Sequence, residues 1–134
     1  MASGSASVAD TDRIVCTAAE KFSSLFYQAM EKRRDGVHAM YSEEACFVWN
    51  GHALTGRGHI SEFLTALPSA SFNIRSVDAQ AIAETLTEGK NSMLVCCAGT
   101  VRMGDRQRAF TQTFLLAEED SKWRIISDRF RFAD

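Results

Sequence analysis

The sequence divides at Pro68, which is the single proline of the chain. Beyond it, four segments are rich in β-branched and aromatic residues, and short polar stretches of the kind that form turns separate them. Consecutive segments joined by such short loops are expected to pair as antiparallel neighbours. The four predicted strands are residues 71–83, 91–103, 107–119 and 122–132.

The half before Pro68 is mainly helical in pattern. Over residues 12–34, apolar side chains recur at steps of three and four, which predicts a long amphipathic helix with one apolar stripe. A short helix or turn is predicted over residues 37–41, and a third helix opens at residues 56–58 and is stopped by Pro68. An order in which helices come first and a meander of strands follows is typical of an α+β fold.

A hairpin is predicted within this helical half. Residues 45–49 and 52–55 read as strands, and Asn50-Gly51 between them favours a tight turn because both positions tolerate positive φ. The expected architecture is one layer of sheet with helices on one side. At 134 residues the chain has the size of one domain, predicted over residues 10–134 after a flexible tail of residues 1–9.

The predicted sheet has apolar side chains on both of its faces. Alternation along residues 91–103 separates Met93, Val95, Cys97, Val101 and Met103 on one side from Leu94, Cys96 and Ala98 on the other. Along residues 107–119 it separates Phe110, Gln112, Phe114 and Leu116 from Ala109, Thr111, Thr113 and Leu115. In the last strand, alternation places Trp123 and Ile125 on one face and Ile126, Phe130 and Phe132 on the other. The helices can cover one face, so we expect a protein partner, a second copy or another protein, to cover the other. A strongly curved sheet that wraps its helices, or a one-residue slip of register, is the alternative.

Composition and charge exclude several classes of protein. With 15 basic and 17 acidic side chains, the net charge is −2, so no overall field attracts nucleic acid or an acidic membrane. No apolar run approaches the ~18 residues that a membrane span needs, and residues 1–10 lack the basic and apolar parts of a secretory signal. The cysteines show no C-x-x-C spacing and are interpreted as reduced thiols of a cytosolic or nuclear protein: Cys16, Cys46, Cys96 and Cys97.

The sequence shows no catalytic, metal-binding or nucleotide-binding motif that we recognise. An acid–base enzyme needs a histidine or carboxylate within reach of a substrate in a pocket. The spacing brings none of these together, so no catalytic residue, cofactor or metal ligand is assigned. The candidate groups are His38, His52, His59, Glu62, Asp78 and Asp128.

One arginine is expected to anchor a partner. In Phe130-Arg131-Phe132, alternation sends Arg131 to the face opposite the two rings. An arginine on an otherwise apolar face is suited to bind a partner's carboxylate, because desolvation and the bidentate geometry of the guanidinium both add specificity. A solvated edge arginine is the alternative interpretation.

Five stretches of the chain resemble, in the same order, the nuclear transport factor 2-related export proteins. They are residues 48–51 followed by Gly56, residues 62–69, residues 77–80, residues 108–114 and residues 127–132. The likeness runs from about residue 12 to residue 134. It implies a cone in which a curved, mostly antiparallel sheet wraps around a long N-terminal helix, with two shorter helices.

The resemblance also implies a function. Such proteins are non-catalytic subunits that pair through their sheets with the similar domain of the mRNA export receptor Tap, and the complex carries mRNA through nuclear pores past phenylalanine-glycine nucleoporins. Export of other RNAs and of proteins with export signals has been linked to the family. Contact with RNA is expected to be indirect, and the chain is expected in the nucleus, at the pore and, by shuttling, in the cytoplasm. The residues predicted to contact the partner are Arg131, Phe110, Gln112, Phe114, Arg102 and Asp78.

Two alternatives stay open. A homodimeric import carrier of Ran-GDP uses an acidic loop before its penultimate strand, whereas the matching residues 102–106 here are net basic, so Ran-GDP is not expected as cargo. A small pocket enzyme of the ketosteroid isomerase or dehydratase type needs an acid–base group inside the cone. A deep polar cavity holding Asp78 or a histidine would favour the enzyme. We expect aromatic side chains to fill that space instead: Phe22, Phe26, Trp49 and Phe63.

Overall fold

The structure, a computed structural model, describes residues 8–82 and 91–133. The predicted tail and the predicted loop after residue 83 fall mostly outside the described residues. Within them, the order of helices and strands is the predicted one. The elements are α1 (Val8–Lys32), a 3-10 helix (Arg34–Met40), β1 (Tyr41–Trp49), β2 (His52–Thr55), α2 (Arg57–Thr65), β3 (Ala70–Ile82), β4 (Ser92–Met103), β5 (Arg106–Glu119) and β6 (Lys122–Phe132).

The six strands form a single sheet in the order β2-β1-β6-β5-β4-β3. The strands after Pro68 pair as the predicted antiparallel meander, and the β1–β2 hairpin is also antiparallel. Strand β1 joins the far side of β6 and is parallel to it. The sheet is therefore mostly antiparallel, which confirms the predicted α+β cone, and β2 and β3 are its two edges.

The Asn50-Gly51 turn has the predicted geometry, and it also forms hydrogen bonds to β6. Both residues adopt positive φ, 47° and 86°, as a tight hairpin requires. The Asn50 side-chain oxygen accepts a hydrogen bond from the backbone N–H of Phe132 at 2.8 Å, and the Asn50 N–H donates to the Phe130 carbonyl at 2.9 Å. The turn thereby fixes the end of β6 beside the hairpin.

Strand β3 contains a bulge that demands a glycine opposite it. The register between β3 and β4 shifts between Ile74 and Ser76, and Gly99 of β4 lies at that point. A Cβ atom on Gly99 would lie 2.1 Å from the carbonyl oxygen of Asn73. The two backbones can approach this closely only where a side chain is absent.

A second bulge corrects the predicted faces of β6. The register shift places Ser127 opposite Leu115 but Ile125 opposite Leu116, so one extra residue, Ile126, enters β6. Because one inserted residue exchanges the faces of a strand, Ile125 and Phe130 both point to the core, where each is about 1% exposed or less. Simple alternation had wrongly set them on opposite faces.

Both helices pack on one side of the sheet, which we call the inner face. Phe22 and Phe26 of α1 lie edge-on against Phe114 of β5, with ring centroids 5.6 and 4.9 Å apart. Phe63 of α2 lies 5.6 Å from Trp49 of β1. Aromatic side chains thus fill the inside of the cone, as predicted.

Arg34 ties the two helices together at one end. Its guanidinium group donates hydrogen bonds to the backbone carbonyls of Met30, Leu64, Leu67 and Pro68, at 3.1, 3.2, 2.7 and 2.9 Å. Carbonyls at a helix C-terminus lack the usual partners of a helix interior, and this one side chain donates to such carbonyls at the ends of both helices. No helix among the described residues is long and apolar enough to cross a membrane.

Candidate partner interface and interior polar cluster

The opposite side of the sheet, which we call the outer face, is uncovered by the described helices. Strand register aligns its side chains in rows across four strands: Asp78, Cys96, Thr113 and Arg129 form one row, and Ser76, Ala98, Thr111 and Arg131 the next. Neighbouring strands lie about 4.8 Å apart, so each row spans roughly 14 Å. The arginines lie on the β6 side, and Asp78 lies on the β3 side.

The outer face combines an apolar centre with a charged margin. Leu94, Ala98 and Leu115 are only half-buried, because nothing beyond their neighbours in the sheet covers them among the described residues. Arg129 and Arg131 are exposed and form no ion pair with any described residue. An apolar centre with a polar rim is the usual organisation of a protein–protein interface. The prediction that the helices cover a single face is confirmed.

Three of the predicted partner-binding residues lie on this exposed surface or its margin. Arg131 and Asp78 belong to the two rows, and Arg102 is exposed near the end of β4. The Asp78 carboxylate accepts a hydrogen bond from the N–H of Ala79 at 3.1 Å. Arg102 donates to the side-chain oxygen of Gln107 at 3.2 Å.

The other three predicted partner-binding residues are buried on the inner face. Phe110, Gln112 and Phe114 are 1%, 3% and 0% exposed. Their side chains alternate with those of Thr111 and Thr113, which point outward from the same strand, so β5 cannot present both sets to a partner. The residues of β5 that point to the outer face are the alternate ones, Thr111 and Thr113. Alternation separated the two sets in the sequence, but it did not tell which set the helices would cover.

A buried polar cluster joins α1, β1, β5 and β6 inside the cone. The Tyr27 hydroxyl donates to the side-chain oxygen of Gln112 at 2.7 Å, and the Gln112 side-chain nitrogen donates to Asp128 at 2.9 Å. The Tyr41 hydroxyl donates to the other Asp128 oxygen at 2.6 Å. All four side chains are buried, so each finds its partners within the chain.

Burial sets the ionisation of this cluster. Desolvation raises the pKa of Asp128 to about 6, and the hydrogen bonds from Tyr41 and Gln112 oppose that rise only in part. Burial likewise raises the pKa of Tyr41, with the charge of Asp128 adding to the effect. The neighbouring thiol of Cys97 has its pKa raised to about 11, mainly by burial.

The cluster is a closed network rather than an open acid–base site. Asp128 is 1% exposed, and both of its oxygens accept hydrogen bonds from the chain itself. A general base must reach a proton of the substrate, directly or through one water molecule. The three candidate histidines, His38, His52 and His59, are exposed and lie outside the cluster. The described part of the chain also contains no group of three or more metal-ligating side chains placed to hold an ion.

Comparison with known proteins gives a consistent result. Residues 18–132 match the family described as the nuclear transport factor 2 (NTF2) domain. The chain is 41% identical to the NTF2-related export protein of Caenorhabditis elegans over 125 residues, which cover 92% of this chain and 91% of that protein. It is 37% identical to NTF2-related export protein 2 of Homo sapiens over 124 residues, 89% of this chain and 87% of that protein.

Solved structures share the fold at lower identity. Nuclear transport factor 2 from Cryptosporidium parvum has a TM-score of 0.75 at 22% identity, over 87% of this chain and 92% of that one. A chain of the C. albicans Mtr2-Mex67 M domain complex has a TM-score of 0.69 at 12% identity, over 85% and 93%. A putative dehydratase from Streptomyces avermitilis has a TM-score of 0.70 at 16% identity, over 88% and 97%. The fold alone therefore does not separate binding proteins from enzymes.

Proposed function

This chain belongs to the nuclear transport factor 2 family, and we propose that it is a non-catalytic subunit of an mRNA export complex. In this proposal its outer face pairs with the similar domain of a larger, Tap-type export receptor. The observation that carries the proposal is the outer face itself: a half-buried apolar centre, flanked by two exposed arginines, that the described helices leave uncovered.

The names of the relatives support this role over an enzymatic one. Proteins 37–41% identical to this chain over about nine-tenths of its length are named NTF2-related export proteins. One structural neighbour comes from a complex between Mtr2 and the Mex67 M domain. The closed polar cluster around Asp128 also argues against a substrate site inside the cone.

The proposed mechanism is thermodynamic. A stable interface of ordinary size buries about 800 Å² on each partner, and the apolar part of that area favours association. A subunit that binds the folded state of its partner stabilises that state by mass action. The chain would thus hold the pore-binding module of its receptor in a folded form.

Arg131 is the proposed anchor of this interface. It lies beside Thr111 on the outer face, with no acidic partner among the described residues. A carboxylate on the receptor would pair with its guanidinium group in a partly desolvated setting, where such bidentate pairs are strongest. Arg129 in the adjacent row would add positive potential to the same side of the face.

The remaining parts of the proposal concern the complex. Contact with phenylalanine-glycine nucleoporins and with RNA is assigned to the complex rather than to this chain alone, and the complex shuttles between nucleus, pore and cytoplasm. Ran-GDP is not proposed as cargo, because the β4–β5 turn carries Arg102 and Arg106 against one acid, Asp105. Sedimentation of the pure chain with and without Ran-GDP tests that exclusion.

The decisive experiment is co-expression with the NTF2-like domain of a candidate receptor, followed by sizing of the complex. We expect Arg131→Asp to weaken the complex by about 30-fold or more, since an arginine that anchors an interface through a desolvated ion pair commonly contributes about 2 kcal/mol or more. Arg106→Asp is the matched control, because it makes the same charge change in an exposed arginine at the start of β5. Tight binding by the Arg131 variant, with an unchanged far-ultraviolet circular dichroism spectrum, would refute the anchor role.

A further inference from the structure

A second surface, separate from the outer face, lies between α1 and β3. A cavity of about 370 Å³ opens between this helix and this strand. Its apolar floor consists of Tyr27, Phe72, Ile74 and Val77, and the carboxylates of Glu20 and Glu31 stand on its helical side. The cavity therefore combines an apolar floor with a negatively charged rim.

The groove runs beside an unpaired strand edge. Strand β3 is the last in the sheet order, so one side of its backbone has no neighbouring strand within residues 8–82 and 91–133. The backbone N–H of Phe72 points to that side and donates to a Glu31 carboxylate oxygen at 2.7 Å. An open edge of this kind can accept another extended chain, which adds backbone hydrogen bonds to the sheet.

The charge of the rim indicates the chemistry of the occupant. Glu20 and Glu31 are exposed, and neither forms an ion pair with a described residue. Eleven residues of helix separate them, which corresponds to about 16 Å along the axis. Five residues of extended chain span the same length. A short strand with basic side chains would therefore reach both carboxylates.

The floor of the groove is held in place before any partner arrives. The ring of Tyr27 lies 4.9 Å from the ring of Phe72, and Phe72 in turn lies 5.7 Å from Phe110 in the core. The Tyr27 hydroxyl is fixed by its hydrogen bond to Gln112. A preformed site loses less conformational entropy on binding than a flexible one.

We propose that this groove binds an extended peptide segment, added to β3 as a further strand, in which basic side chains stand two residues to either side of an apolar one and so share its face of the strand. The apolar side chain packs on Phe72, Ile74 and Val77. A peptide carbonyl takes over the N–H of Phe72, which releases the Glu31 carboxylate to pair with the incoming cation. Because the outer face takes no part, this inference does not depend on the proposed function.

The probe is a capped, fluorescently labelled seven-residue peptide of threonine with lysine at its second and sixth positions and valine at its fourth, so that both lysines share the face of the valine; binding is measured by anisotropy. Its matched control carries glutamate in place of both lysines. We expect the lysine peptide to bind, and the double variant Glu20→Gln/Glu31→Gln to bind it about fivefold more weakly, as two screened surface ion pairs predict. Glutamine at position 31 retains an oxygen that can accept the N–H of Phe72.

A control variant and a second readout complete the test. Glu44→Gln/Glu62→Gln makes the same charge change at exposed sites elsewhere and is expected to leave the affinity unchanged. Bound peptide is expected to slow hydrogen exchange at the amide of Phe72. The inference is overturned by absent binding, by equal binding of both peptides, by an unaffected Glu20/Glu31 variant, or by protection confined to the outer face. Capture of the export receptor is expected to be normal in the Glu20/Glu31 variant, so the two proposals fail independently.

Discussion

Cys96 and Cys97 are neighbours in β4, yet they belong to different parts of the molecule. Cys97 is 2% exposed and lies beside the buried polar cluster, whereas Cys96 is exposed in the middle of the outer face. The same contrast separates Phe114 from Thr113 on β5. The chain's own helices cover the inner face, whereas none of the described helices covers the outer face. One set of strands therefore stabilises the fold with one face, and the described helices leave its other face uncovered, the face that we propose binds a partner.

The largest expected effect is the difference in stability between a substitution on the inner face and one on the outer face, made at adjacent residues of β5. Phe114→Ala should lower the free energy of unfolding by about 3–5 kcal/mol, because it leaves a cavity among the rings of Phe22 and Phe26. Thr113→Ala, one residue away on the outer face, should cost about 1 kcal/mol or less. Urea denaturation of both variants measures the difference. Equal losses would show that the two faces do not differ as described.

The next largest effect is the pH dependence of stability that the buried carboxyl group of Asp128 causes. The pKa of Asp128 is about 6 in the folded chain, above the ordinary value of 3.8. The folded state therefore binds this proton more tightly. The stability that the proton contributes is fully present below about pH 4 and is lost as the pH rises through about 6, a change of about 3 kcal/mol.

Asp128→Asn tests that assignment, because it removes the titrating group. Unfolding free energies of the two proteins, measured from pH 4 to pH 8, should differ by an amount that changes by about 3 kcal/mol across this range, with the wild type losing more towards high pH. A constant difference between the two curves would contradict a raised pKa at Asp128.

The smallest expected effect is the difference in alkylation between the adjacent cysteines Cys96 and Cys97. Alkylation at pH 8, followed by peptide mass mapping, should modify Cys96 and spare Cys97 in the native protein. A thiol pKa of about 11 lowers the thiolate population about 100-fold relative to an ordinary thiol, and burial slows the reaction further. Binding of the proposed receptor should then protect Cys96 too. Cys16 on α1, exposed and away from the outer face, is the internal control.

Local patterns predicted the elements well. The three- and four-residue spacing over residues 12–34 indicated α1, and Asn50-Gly51 indicated its hairpin. These features depend on backbone preferences and on side-chain periodicity within a few residues, which the sequence carries directly. The family resemblance added the sheet curvature and the outer-face pairing as expectations.

The site was predicted less completely. Arg131 was placed correctly on the outer face, because it follows the alternation of Phe130 and Phe132 without interruption. Phe110, Gln112 and Phe114 were assigned to the partner, although their strand turns them towards α1. Alternation separates two faces, but it does not say which of them the helices will cover.

The sequence by itself determined the order of helices and strands, the turn at Asn50-Gly51 and the presence of apolar side chains on both sides of one sheet. Only the tertiary structure decided where the bulge at Ile126 shifts β6, and that Tyr27, Gln112 and Asp128 meet in the core. The physical reason is the distance along the chain over which each kind of interaction acts. Periodicity acts over one or two turns of chain, whereas register and burial depend on contacts between residues that lie up to a hundred positions apart.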